Sequence, residues 1–255
     1  MAKIAYTTRM RKRLDELLVE KGLVATRSRA RDAIVRGLVR VDGDVVTKAG
    51  AGILDGARLT VAPEAGTNYV SRGALKLKAA LDHFGFEAMG RVALDAGAST
   101  GGFTEVLLER GAAKVYAVDV GHGQLHPRIS AQDGVVPLEG QDVRLLDSGL
   151  VREPVTALVA DVSFISLTKV LPGLMALTAK DAWLVALVKP QFEVGPAAVG
   201  KGGVVKDEAA RKSAIGAIER LIADTPSWTV AGVIPSPIEG GSGNVEFLIG
   251  ARQNG

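Results

Sequence analysis

Three acidic residues each follow an apolar run in the middle of the chain, where carboxylates can bind the hydroxyl groups of a ribose. Asp95 follows residues 92–94, Asp119 ends residues 114–119, and Asp142 follows a third run. An acid about 20 residues beyond a strand–turn–helix corner typically accepts hydrogen bonds from ribose hydroxyls, and Asp119 lies 24 residues beyond Asp95. The spacing predicts a binding site for a nucleoside-type cofactor.

The segment after the first of these strands is rich in glycine, which lets a backbone turn tightly and approach a ligand closely. Its spacing, Gly97-x-x-x-Gly101-Gly102, departs from the dinucleotide pattern G-x-G-x-x-G, and no G-x-x-x-x-G-K-[ST] sequence occurs. S-adenosylmethionine has no phosphate and needs acids for its ribose, so it suits the three acids better than a dinucleotide. Glycines that serve packing alone are the alternative interpretation. The predicted cofactor-binding residues are Asp95, Gly97, Ala98, Ser99, Thr100, Gly101, Gly102, Phe103, Asp119 and Asp142.

Two more charged residues directly follow predicted strands. Asp161 comes after residues 155–160, and Lys189 comes after residues 182–188. In open α/β sheets, ligands bind at the carboxyl ends of the strands, so these two side chains are expected near the cofactor. A lysine directly after a buried strand is difficult to explain as a solvated side chain. Glu193 is the competing acid in this region, and we interpret it as a loop residue.

The elements that must position these residues alternate between strands and helices. Apolar runs predict further strands at residues 229–234 and 244–249, and helical periodicity predicts helices at 103–110 and 207–223. This alternation is typical of a doubly wound α/β sheet. The glycine-rich stretch at residues 195–205 is expected to be either a lid or a long connection.

The N-terminal quarter differs from the rest in charge. Residues 1–62 contain 13 Lys and Arg against 7 Asp and Glu, so about +6, whereas the remainder contains 18 against 21, so about −3. We expect helices at residues 11–20 and 27–36, the second capped by Thr26, then a hairpin around Asp42-Gly43 and a strand at 58–61. Arginines beside a small sheet suit a phosphate backbone; a solvated basic surface is the alternative.

Composition excludes several other classes of protein. The chain has no Cys and only three His, without an H-E-x-x-H pattern, so we expect neither a disulfide framework nor a metal site. No apolar run reaches the length of a membrane span, and the N-terminus lacks the apolar core of a signal peptide. We therefore expect a cytoplasmic protein without a membrane partner.

The segments Arg13-Leu14-Asp15, Thr26-Arg27-Ser28-Arg29-Ala30-Arg31 and Val41-Asp42-Gly43 resemble the S4 RNA-binding domain. Residues 11–251 as a whole resemble the TlyA family, S4-plus-Rossmann proteins that act as rRNA 2′-O-methyltransferases and are often labelled hemolysins. The resemblance implies an S4-like α+β domain at residues 1–62, a linker at 63–68 and a Rossmann-like, seven-stranded methyltransferase domain at 69–255. The implied partner is ribosomal RNA in ribosomal subunits, methylated on a cytidine of 16S or 23S rRNA or both. The predicted RNA-binding residues are Arg11, Lys12, Arg13, Arg27, Arg29, Arg31, Arg36 and Arg72.

The same resemblance matches Lys76, Asp161, Lys189 and Glu246 to the family's catalytic tetrad, although the family often has His where Leu75 stands. A hydroxyl is a poor nucleophile near neutral pH and needs a base. We assign Lys189 as that base, with Lys76 and Asp161 setting its charge and orientation and Glu246 positioning Lys76 or the ribose.

Two absences favour ribose oxygen over a base as the methyl acceptor. Methylation at pyrimidine C5 generally needs a Cys nucleophile, which the chain lacks, and amino-group methylation generally uses prolines that do not follow Asp161. Two alternatives stay open: an RNA-binding, ribosome-associated factor without catalysis, and a hemolysin-like membrane-active protein.

Overall fold

The computed structural model describes residues 11–24, 27–35, 37–62, 69–240 and 243–255. The chain forms two compact units, Met1–Thr67 and Asn68–Gly255, and each is described by itself. The predicted cap at Thr26, Arg36, the linker at 63–68 and the side chain of Arg29 lie outside the described residues.

The N-terminal unit packs two helices against short strands. A three-stranded antiparallel sheet has the order β3-β2-β5, and β1 pairs with β4. The predicted hairpin is present, since Val41 pairs with Asp44 across a turn in which Asp42 and Gly43 both have positive φ. The elements are β1 Arg11–Arg13, α1 Leu14–Glu20, α2 Arg27–Val35, β2 Val39–Val41, β3 Asp44–Val45, β4 Gly52–Leu54 and β5 Leu59–Val61.

One boundary prediction in this unit is wrong. The helix expected to begin at residue 11 begins at Leu14, because residues 11–13 pair in antiparallel fashion with residues 52–54. The strand formed by residues 52–54 was not predicted. The buried face of the second helix is as expected, with Ala30 and Ile34 fully buried against Leu14.

The C-terminal unit is the predicted alternation of strands and helices. Three short 3-10 turns, Val143–Leu145, Leu167–Lys169 and Pro196–Ala198, join some of its elements. The helices and strands are α3 Gly73–Phe84, β6 Val92–Ala96, α4 Gly102–Glu109, β7 Lys114–Asp119, α5 Pro127–Ser130, β8 Val135–Glu139, β9 Val155–Ala160, α6 Leu171–Met175, β10 Thr178–Val188, α7 Pro190–Glu193, α8 Glu208–Ala223, β11 Trp228–Pro235 and β12 Phe247–Gln253.

These strands form one sheet of seven among the described residues, in the order β11-β12-β10-β9-β6-β7-β8. β12 runs antiparallel to both of its neighbours, and the pairs among the central strands are parallel. The carboxyl ends of the parallel strands therefore meet at one edge, and the start of β12 reaches the same edge because Val188 pairs with Phe247. The predicted doubly wound α/β class is confirmed.

Helices cover both faces of this sheet. Leu77 of α3 and Leu107 of α4 pack with Ala93 and Val159 on one face. Ile218 of α8 packs with residues such as Leu94 and Leu158 on the other face. Strands buried on both faces consist of continuous apolar residues, which is why the sequence located them well.

Two strand boundaries differ from prediction in ways that affect the site. β6 continues through Ala96, so Asp95 lies inside the strand instead of ending it. β12 begins at Phe247 instead of residue 244, because Asn244 and Glu246 use their backbone oxygens to accept hydrogen bonds from Gly240 and Ser236. Glu246 is thus held in a loop directly before the strand.

Candidate active site

Two lysine–carboxylate pairs lie at the carboxyl edge of the sheet. Lys76, on the first turn of α3, donates to Glu246 with 2.6 Å between Nζ and Oε2. Lys189 directly follows β10, Asp161 directly follows β9, and the distance between Nζ and Oδ1 is 2.6 Å. Both lysines are buried, each with 8% of its surface exposed. The structure thus brings together the four residues that the family resemblance matched.

The two pairs act on each other electrostatically through Asp161. Burial alone would raise the pKa of Asp161, but the positive charges of Lys189 and then Lys76 outweigh burial and hold this pKa below its usual value. Asp161 is therefore ionised near neutral pH and attracts both lysines. A change in the charge of either lysine alters the field that the other lysine experiences.

A residue that the sequence did not single out completes the surroundings of Lys189. The hydroxyl of Ser163 accepts a hydrogen bond from Lys189 Nζ at 2.8 Å. Ser163 is exposed, whereas Lys189 is buried. Its position two residues after Asp161 was the available signal, because both residues belong to the loop that follows β9.

The same loop carries an exposed aromatic ring. Phe164 is 90% exposed, has a positive φ of 64°, and its ring lies 5.0 Å from that of Phe192. Positive φ in a bulky residue costs about 1–3 kcal/mol and is usually held by surrounding contacts. Glu193 supplies such contacts, since its carboxylate accepts hydrogen bonds from Ser166 Oγ and Leu167 N. Glu193, which was interpreted as a loop residue, is instead the last residue of α7, and its carboxylate fixes the loop after β9.

Asp95 lies beneath the glycine turn and is fully buried. Thr104 donates a hydrogen bond of 2.6 Å to its Oδ2, while the buried Oδ1 has no hydrogen-bond partner among the described residues. Burial raises the pKa of Asp95 to about 7 although the Thr104 hydrogen bond opposes the rise, and the carboxylates of Asp161 and Asp119 add to it. β6 continues past Asp95, so its carboxylate lies beneath the turn, and its assignment as a cofactor-binding residue stays a prediction.

The glycines of the turn serve close packing inside the protein. Gly97 has a φ of 88°, and a Cβ atom there would lie 2.6 Å from the backbone oxygen of Asp161. Gly101, with a φ of 95°, would place a Cβ atom 2.8 Å from Leu125. Both positions therefore have a packing reason to be glycine, and the turn lies directly against the loop that carries Asp161.

The other two predicted acids are at the ends of neighbouring strands. Asp119 ends β7 and accepts hydrogen bonds from the backbone N–H groups of Ser99, at 2.9 Å, and Gly121, at 2.8 Å. The hydrogen bond from Ser99 connects the glycine turn to the end of β7. Asp142 follows β8, and hydrogen bonds from the Arg144 side chain and backbone lower the pKa of Asp142 to about 2. The Asp142 carboxylate is therefore an ionised acceptor near neutral pH.

Apolar side chains accompany these acids. Val120 follows β7 and is 65% exposed, and Leu145, at the end of the 3-10 turn after β8, is 73% exposed. A nucleoside needs apolar cover for its base and carboxylate acceptors for its ribose, and this edge of the sheet offers both. The residues present fit a nucleoside-containing cofactor. The remaining members of the predicted set, Ala98, Thr100, Gly102 and Phe103, form the turn and the start of α4.

Three of the predicted RNA-binding arginines converge on one buried carboxylate in the N-terminal unit. The Nε atoms of Arg13, Arg27 and Arg31 each lie 3.0 Å from a carboxylate oxygen of Asp15, which is fully buried. Burial alone would raise the pKa of Asp15, but the three guanidinium groups outweigh burial and hold it well below the usual range. About half of each arginine side chain is exposed. Asp15 was not among the predicted site residues, although it lies within the Arg13-Leu14-Asp15 segment that resembles the S4 domain.

The other members of that set are placed differently. Lys12 forms an ion pair with Glu20 at 2.6 Å, and Arg11 is an exposed residue of β1. Arg72 directly precedes α3 and so belongs to the C-terminal unit. Within the N-terminal unit, the structure therefore gathers Arg13, Arg27 and Arg31 into one cluster.

The described ranges of the chain contain neither a membrane-spanning helix nor a cluster of metal ligands. No helix there is long and apolar enough to cross a membrane. No group of three or more His, Asp or Glu residues there could hold a metal ion.

Comparison with known proteins agrees with this architecture. The FtsJ-like methyltransferase family model matches residues 69–253, and the S4 domain model matches residues 12–59. The 16S/23S rRNA (cytidine-2'-O)-methyltransferase TlyA of Mycobacterium tuberculosis is 47% identical over 242 residues, which cover 95% of this chain and 90% of that protein. Hemolysin A of Brachyspira hyodysenteriae is 38% identical over 237 residues, covering 92% of this chain and 98% of that protein.

A solved structure of another protein has the same architecture over nearly the whole chain. A protein of Streptococcus thermophilus described as a hemolysin superposes with a TM-score of 0.75 at 36% identity, covering 97% of this chain and 90% of the other. The resemblance drawn from the S4-type segments and the strand-end residues is thus confirmed. The chain belongs to the TlyA family of FtsJ-like methyltransferases that carry an S4 domain.

Proposed function

We propose that this protein transfers a methyl group from S-adenosylmethionine to the 2′-hydroxyl of a cytidine in ribosomal RNA. The observation that carries the proposal is the buried cluster of Lys76, Glu246, Asp161 and Lys189, which lies against the glycine turn of a methyltransferase fold. The name of the mycobacterial relative supports the same substrate class.

The cofactor would supply a methyl group on a positively charged sulfur, which keeps the electron pair of the broken carbon–sulfur bond as the 2′ oxygen bonds to the methyl carbon. Asp119 and Asp142 are the proposed acceptors for its nucleoside part, with the backbone of residues 97–101 beside them. Binding both reactants side by side supplies much of the rate increase through proximity.

The chain's own contribution to the chemistry is proton removal. Lys189 takes the proton of the 2′-hydroxyl onto its neutral amine. Asp161 keeps the amine in place at 2.6 Å. Lys76 also acts on this carboxylate, because its charge helps to lower the pKa of Asp161. Glu246 holds Lys76 in position at 2.6 Å.

Recognition of the RNA is assigned to charged and aromatic side chains. The arginine cluster around Asp15 presents guanidinium groups to phosphates, which contribute affinity independently of sequence. Phe164 offers an exposed ring at the edge of the catalytic cluster, and aromatic rings stack on unpaired bases with about 1–3 kcal/mol per base. Ribosomal subunits are the proposed partners, which implies action in the cytoplasm.

The test uses purified protein, tritiated S-adenosylmethionine and unmethylated small and large ribosomal subunits, followed by nucleoside analysis. Wild type is compared with Lys189→Ala and with Lys212→Ala, a matched control because Lys212 is an exposed lysine on α8. We expect label in a 2′-O-methylated cytidine for wild type and the control, and none for Lys189→Ala.

Other outcomes would contradict specific parts of the proposal. Label in a base would refute the role of the cluster while leaving the cofactor assignment intact. RNA binding without label on either subunit would favour the non-catalytic RNA-binding factor. Release of dye from liposomes by the protein alone would favour the membrane-active alternative.

A further inference from the structure

The surroundings of Lys189 Nζ contain one acceptor that the proposed mechanism does not use. Asp161 Oδ1 lies 2.6 Å from Nζ, and Ser163 Oγ accepts a hydrogen bond from it at 2.8 Å. Both acceptors come from the loop after β9, whereas the lysine comes from the end of β10. Because β9 and β10 are neighbouring parallel strands, this arrangement is fixed by the sheet.

The number of hydrogen-bond acceptors around Nζ matters because a lysine that acts as a base must be a neutral amine with a free lone pair. A neutral amine has two N–H groups and one lone pair, whereas an ammonium group has three N–H groups. If one N–H is donated to Ser163 and the other faces the Asp161 carboxylate, whose Oδ1 is 2.6 Å from Nζ, the lone pair of the neutral amine can point only in the remaining tetrahedral direction. With one acceptor alone, the amine could rotate about its Cε–Nζ bond and turn the lone pair away.

We propose that Ser163 is a positioning residue that directs the lone pair of Lys189 toward the 2′-hydroxyl. This inference rests on the proposed function. During the reaction, the proton of the hydroxyl moves onto the lone pair, and the resulting ammonium keeps its ion pair with Asp161 and its hydrogen bond to Ser163. The new third N–H then faces the methylated oxygen, and the proton later leaves to solvent.

The exposure of Ser163 fits this role better than a role in folding. The side chain is on the surface of the loop, so its hydroxyl contributes little to the core. Glu193 already fixes the loop through Ser166 and Leu167. Removing the Ser163 hydroxyl should therefore leave the backbone in place and change only the partners of Lys189.

The experiment measures single-turnover methyl transfer with saturating RNA and cofactor, together with binding of each. The variants are Ser163→Ala, which removes the acceptor, Ser163→Thr, which keeps a hydroxyl, and Ser213→Ala as a control on the exposed face of α8. We expect Ser163→Ala to lower the single-turnover rate about 10- to 100-fold, since misorientation of a reacting group has effects of that size. Binding of RNA and cofactor should change less than about threefold, and Ser163→Thr should restore most of the rate.

Three results would overturn the inference. A wild-type rate for Ser163→Ala would refute it while leaving the proposed function standing. Weaker RNA binding with an unchanged rate would show that Ser163 contacts RNA instead of orienting Lys189. Absence of transfer by wild type on both subunits would refute the proposed function itself, and with it this role of Ser163.

Discussion

Replacing the buried Asp95 with Asn should change how the stability of the C-terminal unit depends on pH. The folded protein raises the pKa of Asp95 from 3.8 to about 7, mainly through burial. Between these values the folded state binds a proton that the unfolded state releases, so wild type loses stability as pH rises from about 4 to about 7. At about 1.4 kcal/mol per pKa unit, the rise of about three units corresponds to about 4 kcal/mol.

Asn cannot titrate, so the Asp95→Asn variant should lack this loss. The difference in unfolding free energy, variant minus wild type, should increase by about 4 kcal/mol between pH 4 and pH 8. Oδ1 of Asp95 has no hydrogen-bond partner among the described residues, so one end of the Asn amide would be buried without one as well. This adds a penalty of about 1–3 kcal/mol. That penalty shifts the whole curve without changing its slope, so the slope is the quantity to measure.

Urea unfolding followed by tryptophan fluorescence is the suitable assay. Both tryptophans of the chain, Trp183 and Trp228, belong to the C-terminal unit, so the signal reports this unit alone. Unfolding midpoints at half-unit steps from pH 4 to pH 8 give the two curves. Parallel curves would refute the reasoning, because they would mean that Asp95 is ionised at the same pH in the folded and unfolded states.

Two further predictions concern the buried carboxylates of Asp15 and Glu246. Asp15→Asn should destabilise the N-terminal unit by about 1–3 kcal/mol near pH 7, because three half-exposed arginines lose their hydrogen bonds to a shared charged carboxylate. The pKa of Asp15 is lowered on folding, so this loss should shrink as pH falls below about 4; amide hydrogen exchange in α1 and α2 would measure it, and equal protection at pH 7 would contradict it. Glu246→Gln should cost the C-terminal unit about 3 kcal/mol in urea unfolding, since Lys76 would stay buried without its partner. Glu153→Gln is the matched control, as its ion pair with Lys114 is partly exposed and should contribute at most about 1 kcal/mol; equal losses for the two variants would refute the distinction.

The sheet of the C-terminal unit was predictable because its central strands are buried on both faces. Both ends of the strands at residues 114–119 and 155–160 were predicted correctly. A continuous apolar run indicates such a strand without knowledge of the strands that pair with it. Short edge strands were not predictable in this way. Arg11–Arg13 carries no apolar pattern and becomes a strand only because residues 52–54 pair with it.

The candidate site was predictable in part for a related reason. Asp161 and Lys189 directly follow strands, so sequence position alone places them at one edge. In the sequence, Lys76 has the appearance of a solvated helix lysine, and its partner Glu246 is 170 residues further along the chain. Only the family resemblance therefore indicated that Lys76 belongs to the site. Ser163 and Asp15 were missed because their roles depend on which side chains the fold brings to them.

The contact between Gly97 and the backbone oxygen of Asp161 has a consequence for protein engineering. The turn beside the proposed cofactor site and the loop that carries Asp161 share a steric boundary, so neither can be transplanted alone into a related scaffold. A chimera that exchanges residues 97–102 without residues 161–166 would combine two loops that were not shaped against each other. Recombination libraries of this family should therefore inherit both segments from the same parent.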